Sequence, residues 1–193
     1  MKKSIIIIIA VVAVIVIWAV SMYNGLVTMD ESVNSQWANV ETQYQRRADL
    51  IPNLVNTVKG YASHEKETLE GVVEARSKAT QMQVNANDLT PEKLAEYQKA
   101  QGAVTSALGK LLAITENYPD LKANQNFLEL QAQLEGTENH INLARTNFNN
   151  AAQAYNTAIR RFPKSLFASM FGFDKHAYFE AAEGTETAPT VSF

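Results

Sequence analysis

The sequence predicts an all-α protein: an N-terminal transmembrane helix followed by an elongated, antiparallel up-and-down bundle of three to four helices. Three observations carry that prediction. No charged residue occurs from Ser4 to Met29. Beyond that segment apolar residues recur at spacings of three and four, with no sustained alternation of the kind a half-buried strand requires. Helix start and stop signals at Thr90–Pro91, Pro119 and Pro163 then divide the remainder into a few long pieces.

Residue balance sets the broad class. Apolar residues make up 46% of the chain, yet its mean hydropathy is only −0.18, so they are concentrated in one place and diluted elsewhere. Lys and Arg number 17 against 20 Asp and Glu. Two of the positives, Lys2 and Lys3, precede the apolar run, so the rest of the chain is acidic. Phosphate binding needs a basic face, which argues against nucleic acid as a partner. The chain has no Cys, which excludes disulfides, thiolate metal sites, a catalytic thiol and covalently attached c-type haem.

Residues 5–25 form the predicted anchor, a span through a lipid bilayer, with residues 1–4 as a short cytoplasmic N-terminus. The run IIIIIAVVAVIVIWAV, extended by Met22, Tyr23, Leu26 and Val27, supplies the ~20 residues that cross the hydrocarbon. In water so many Ile and Val would favour a strand. In lipid every backbone group must be satisfied within the segment, so helix is expected. Trp18 and Tyr23 stand near the far end, where amphipathic rings favour the interface. A cleaved signal peptide competes with this reading, with Ala19 and Ser21 as the small residues before a cut, but the apolar run exceeds the usual ~7–15 residues. Lys2 and Lys3 precede the segment and the first positive residue after it is Arg46. That asymmetry holds the N-terminus in the cytoplasm and places the bundle outside it.

Residues 28–163 form the predicted bundle. Val33, Trp37, Val40, Tyr44, Ile51, Val55, Val58, Ala62, Leu69, Val72 and Val73 follow one helical stripe whose phase survives Pro52. Residues 28–82 therefore read as one helix kinked at Pro52 or as two helices meeting there, because proline lacks an N–H and clashes with the carbonyl of residue 48. A loop over 83–92 ends with Thr90 as N-cap and Pro91 at the first helical position. The helix it starts, 91–117, carries Leu94, Tyr97, Gln101, Val104, Leu108, Leu111, Thr115 and Tyr118 on one face. A last helix, 120–162, carries Phe127, Leu130, Leu134, Ile141, Phe148, Tyr155 and Phe162 as a coiled-coil-like heptad seam. Gly71, Gly102, Gly109 and Gly136 inside these helices each cost about 1 kcal/mol relative to Ala, and close helix contact is the expected offset. The aromatic segment 164–180 is expected to dock on the bundle, and 181–193 reads as an acidic, flexible tail.

The stretch YNGLVTMDESVNSQWANVETQYQRRADLIPNLVNTVKGYASHEKETLEGVVEARSKA, 23–79, resembles the LemA family of bacterial membrane-anchored proteins. The likeness continues through NFLELQAQLEGTENHINLARTNFNNAAQAYNTAIRRFP, 126–163, and FGFDKHAYFEA, 171–181, and so covers nearly the whole chain, anchor included. It singles out Trp37, Arg46, Arg47, Asp49, Pro52, Asn53, Leu54, Gly60, Tyr61, His64 and Glu65, then Phe171, Gly172, Phe173 and Phe179. What it implies is a helical bundle on the bacterial cytoplasmic membrane, of undetermined molecular function. The family has also been described with its short N-terminus outside, which is opposite to what the lysines of this chain imply.

The densest polar constellation is Arg46, Arg47, Asp49 and Asn53 around Pro52. Arg46 and Asp49 stand three apart and are placed to pair, and an Arg or Asn donor is placed to satisfy the carbonyl that Pro52 orphans. The functional alternative is a pair of guanidiniums holding an anion or a partner's carboxylate. HEKE at 64–67 lacks the second His of a zinc-protease helix. No Gly-x-Ser-x-Gly elbow or glycine-rich phosphate loop occurs in the chain. Neither enzyme activity nor a cofactor nor a metal is expected. Phe167, Phe171, Phe173, Tyr178 and Phe179 form a candidate aromatic surface, either a lid over the bundle or a face for a partner or the membrane interface. The expected function is a membrane-tethered interaction or scaffold protein of the cell envelope, bound to another membrane or envelope protein. A small-ligand or cofactor-binding bundle is the alternative.

Overall fold

The computed structural model describes residues 2–82, 84–86 and 89–180; the expected flexible tail, 181–193, lies outside them. Among the described residues there are six helices and no strand: α1 (Lys2–Tyr61), α2 (Lys66–Gln81), α3 (Pro91–Thr115), α4 (Pro119–Lys122), α5 (Gln125–Arg160) and α6 (Lys164–Phe171). The protein is a helical bundle with a long apolar helix at its N-terminus. It divides into two compact units, Met1–Gln43 with Asn139–His176, and Tyr44–Glu138 with Ala177–Phe193.

The beginning of α1 is long and apolar enough to cross a membrane. Its side chains are turned outward all round: Ile5, Ile9, Val14 and Ile17 are all more than half exposed. A helix that is apolar on every face requires an apolar surrounding, and lipid supplies one. Further along α1 the exposure becomes one-sided, with Leu26, Val33, Trp37 and Val40 buried. In this first unit the opposing face comes from α5, where Ile141, Ala144, Phe148, Ala152 and Tyr155 are buried. Trp37 and Phe148 meet edge to face at 5.6 Å, the geometry that aromatic quadrupoles favour.

In the second unit α1 continues through Pro52 without interruption to Tyr61. Of the two readings at Pro52, one kinked helix or two helices meeting there, the second does not hold: the helix ends about ten residues later, and 62–65 separates it from α2, with Gly60 just before and Ser63 and His64 within as poor helix formers. Two things hold the helix across Pro52. Ile51, Leu54, Val55 and Val58 are buried in one cluster around it, and the carbonyl of Ala48, which Pro52 cannot serve, accepts a hydrogen bond from Arg76 Nε at 2.6 Å. Arg76 lies on α2, so that bond also shows α2 returning antiparallel along α1.

Three contacts set the direction of α3 against α1. Tyr44 meets Tyr97, Arg47 meets Gln101 and, just past the ends of both helices, Glu65 meets Tyr118, in the same order along both segments, so α3 runs parallel to α1. The start of α5 runs the other way, since Asn124 reaches Tyr61 while Glu138 reaches Arg47. The second unit is thus up, down, up, down. Thr90 caps α3 as expected, its hydroxyl accepting from Lys93 N at 3.2 Å.

Other expectations need correcting. α3 ends at Thr115, and a separate four-residue helix, α4, precedes α5; Asn124 then starts α5 by accepting from Phe127 N at 3.0 Å. Phe162 does not extend the heptad seam: α5 stops at Arg160, and Phe162 is 80% exposed. Val73 is half exposed because the buried face of α2 is Leu69, Val72 and Ala79. The glycine argument fails at all four positions, since a Cβ on Gly71, Gly102, Gly109 or Gly136 would meet nothing within 4 Å. No close helix contact offsets their cost.

Candidate functional site

The members of the predicted polar cluster do not converge. Arg46, Asp49 and Asn53 are exposed on the outer side of α1, whereas Arg47 is 2% exposed. Asp49 takes its described hydrogen bond from Gln45 Nε2 at 2.7 Å, not from Arg46. Asn53 contributes a backbone carbonyl, which accepts from Thr57 Oγ1.

Arg47 is the centre of an interior network in the second unit. Its Nη1 donates to Thr105 Oγ1 and to Glu138 Oε1, both at 2.8 Å. Its Nη2 donates to the Gln101 carbonyl at 3.0 Å and to Gln101 Oε1 at 2.6 Å. The guanidinium carbon lies 5.1 Å from the ring centre of Tyr44, and Tyr44 stacks edge-on against Tyr97 at 5.5 Å. Four of the five guanidinium N–H groups are therefore committed within the chain, so the arrangement ties α1, α3 and α5 together and leaves no fork for an external anion. A buried charge is tolerated only when paired and hydrogen-bonded, and Glu138 with Gln101 and Thr105 meets that condition.

Sequence reasoning missed Glu138 and Thr105, which lie 91 and 58 residues away from Arg47. One signal was available: Gln101 occupies a core position in the apolar stripe of α3, and a buried amide there calls for a polar partner.

At the turn after α1, Tyr118 Oη donates to Glu65 Oε1 at 2.9 Å. That bond, with burial adding to it, raises the phenol above its usual range. His64 is exposed. Among the described residues no group of three or more His, Asp or Glu is arranged to hold a metal ion.

The predicted aromatic surface divides between the two units. In the first, α6 carries Phe167 to Trp18 at 5.8 Å and Phe171 to Tyr23 at 5.0 Å, and Phe173 reaches Tyr23 at 5.6 Å. The segment thus docks on the membrane-side end of α1. Gly172, at φ 72°, closes α6 and turns the chain back. The return is fastened at His176, whose backbone N donates to Asn156 Oδ1 while its carbonyl accepts from Asn156 Nδ2. The His176 ring nitrogen Nε2 lies 2.6 Å from Asp30 Oδ1, and the ring packs on Tyr155 at 4.9 Å. Burial, then the charges of Asp30 and Asp174, push the Tyr155 phenol up to about 12. In the second unit Phe179 is buried, Tyr178 is part-exposed, and the Glu180 carbonyl accepts from Gln98 on α3.

The model of the LemA family matches residues 36–193. The chain belongs to the LemA family. The matched stretch begins after the apolar segment. Among individual proteins, the chain is 29% identical to the magnetosome protein MamQ of Magnetospirillum gryphiswaldense over 182 residues, 86% of this chain and 67% of that one. It is 26% identical to magnetosome protein MamQ 2 of Paramagnetospirillum magneticum, over 86% of this chain and 67% of that one. It is also 26% identical to protein LemA of Metamycoplasma hominis, over 83% of this chain and 69% of that one. LemA-family membership and the apolar helix together describe a membrane-associated helical protein. The Arg47 network and α6 lie within the matched stretch, whereas Trp18 and Tyr23, on which α6 docks, precede it.

Proposed function

We propose that this LemA-family chain is a membrane-tethered, non-catalytic interaction or scaffold protein of the bacterial envelope, with its N-terminus in the cytoplasm and its bundle outside. The observation that carries the reading is the continuity of α1. No linker separates the apolar segment from the first core residues, Leu26, Val33 and Trp37, which belong to the same helix. A domain attached in this way stays close to the bilayer, where partners in the same membrane meet it at high effective concentration and weak helix-surface contacts suffice. The interior supports binding on the outside rather than inside: the space between helices in the second unit is filled by Leu54, Val58, Leu108, Leu111, Phe127 and their neighbours. Lys2 and Lys3 ahead of the span support the orientation.

The test is site-specific photocrosslinking in intact membranes from exposed positions such as Glu70 and Glu129, with identification of what is captured. Capture of one membrane protein from several positions, lost when the anchor is replaced by a cleavable signal, is the expected result. Capture no greater than that of an unlabelled chain at every position overturns the proposal. A reporter active only outside the cytoplasm, fused after Phe193, is expected to be active; activity of a cytoplasm-only reporter there reverses the orientation.

A further inference from the structure

We infer that α6 is a second membrane contact, a short interfacial helix that lies in the same bilayer leaflet boundary that the anchor leaves. The inference rests on the membrane-anchored reading and adds to it a surface outside the span. α6 packs on α1 at Trp18 and Tyr23, the two residues of the anchor that belong at a membrane interface. These two stand about 7.5 Å apart along the helix axis at 1.5 Å per residue, comparable to the roughly 5–10 Å that an interfacial helix sinks below the headgroups. α6 is therefore held at the depth where such helices lie.

The exposed side of α6 suits that position. Phe167 and Phe171 put their rings against Trp18 and Tyr23 of α1, with Phe171 still 54% exposed, while Leu166 and Met170 are 59% and 74% exposed and Phe162 just before the helix is 80% exposed. In water these would make a contiguous apolar face with no cover. The charges around it are mostly positive, in a chain that is negative overall: Arg160 and Arg161 are exposed where α5 ends, and Lys164 opens α6. The Lys164 ammonium stands 3.9 Å from where a Cβ on Gly25 would be, beside the end of the span. Long basic side chains flanking apolar ones at this height reach back to anionic headgroups. Continuity with the anchor, matched depth and charge together single out the lipid surface as the occupant of this face.

The chain has no Cys, so single cysteines introduced one at a time as Leu166→Cys, Met170→Cys, Val12→Cys and Glu70→Cys carry an environment-sensitive dye each. The full chain is reconstituted in phosphatidylcholine vesicles containing phosphatidylglycerol, and each dye is challenged with brominated acyl chains and with aqueous iodide. The dyes at positions 166 and 170 are expected to emit to the blue of the one at position 70, to be quenched by brominated lipid and to be shielded from iodide. Quenching should weaken at position 170 when Arg160→Gln and Arg161→Gln are added or phosphatidylglycerol is left out; equal quenching in all cases overturns the role of the basic residues. Iodide quenching at 166 and 170 with lipid quenching retained at 12 overturns the inference and leaves the anchor standing. Iodide quenching at 12 as well overturns the span itself. Protection of 166 and 170 from both quenchers places a protein on this face and also overturns it.

Discussion

Replacing Arg76 by Met should destabilise the protein only while residue 52 is proline. The carbonyl of Ala48 faces the ring of Pro52 where a helical N–H would normally stand, and Arg76 Nε fills that place at 2.6 Å. A hydrogen bond from a charged donor contributes about 1.5–3 kcal/mol net. Arg76 is only partly buried, so the lower part of that range applies, about 1.5–2 kcal/mol. Met retains the apolar stem and removes the donor. In a Pro52→Ala background the N–H of residue 52 is restored and serves Ala48 directly, so the same Arg76→Met change should cost less than about 0.5 kcal/mol, leaving a coupling of about 1–1.5 kcal/mol. For a domain of this size each kcal/mol moves the melting temperature by roughly 2–4 °C. Thermal unfolding of the four full-length chains followed by circular dichroism in one detergent therefore measures the coupling. An equal loss on Arg76→Met in both backgrounds would refute the reasoning, because it would mean that Arg76 acts by fastening α2 and not by serving the orphaned carbonyl.

Glu138→Ala should cost about 2–3 kcal/mol in urea unfolding, less than the 3–5 of a fully buried broken pair because Glu138 is 35% exposed and water replaces part of its contact; a midpoint unchanged from the parent would remove the Arg47 network from the stability argument. Trp37→Ala and Phe148→Ala should each cost about 3–5 kcal/mol, with the double variant losing about 0.5–1.5 less than the sum because the edge-to-face contact is counted twice; strict additivity would contradict the contact. Tyr155 holds its proton up to about pH 12 in the folded chain but releases it near pH ~10 when unfolded. The contribution is thus whole below pH ~10 and fades as pH rises toward 12. Tyr155→Phe should flatten this alkaline loss in unfolding measurements across that window, and an equally steep loss in the variant would place its origin elsewhere.

The helices were readable from spacing because burial of one face is a local, periodic demand. Every position of the α3 stripe from Leu94 to Thr115 is buried, and so are Phe127, Leu134, Ile141, Phe148 and Tyr155 of the α5 seam. Helix ends were less readable, and Pro52 shows why. The local cost of proline in a helix, about 3 kcal/mol, is visible in the sequence, whereas what offsets it, a buried cluster and an arginine 28 residues from Ala48, is not. The glycines of α3 teach the converse lesson. Gly102 and Gly109 face open space, so their presence answers no packing demand that this structure contains.

The polar cluster at 46–53 illustrates how adjacency in sequence misleads on a helix. Arg46 and Arg47 are neighbours, yet about 100° of rotation separates them, enough to send one to solvent and the other into the core. Their exposures decide their chemistry: Arg47 spends its donors on Gln101, Thr105 and Glu138, and only Arg46 is left for anything outside the chain. The aromatic segment divides for the same kind of reason. Gly172 at positive φ ends α6, so Phe167 and Phe171 stay with the helix against Trp18 and Tyr23 while Phe179, past the His176 fastening, is buried in the other unit. Five aromatics that share one stretch of sequence thus serve two purposes. The ones that remain with α6 are those whose neighbours, Phe162, Leu166 and Met170, are left uncovered at the height of the anchor's end.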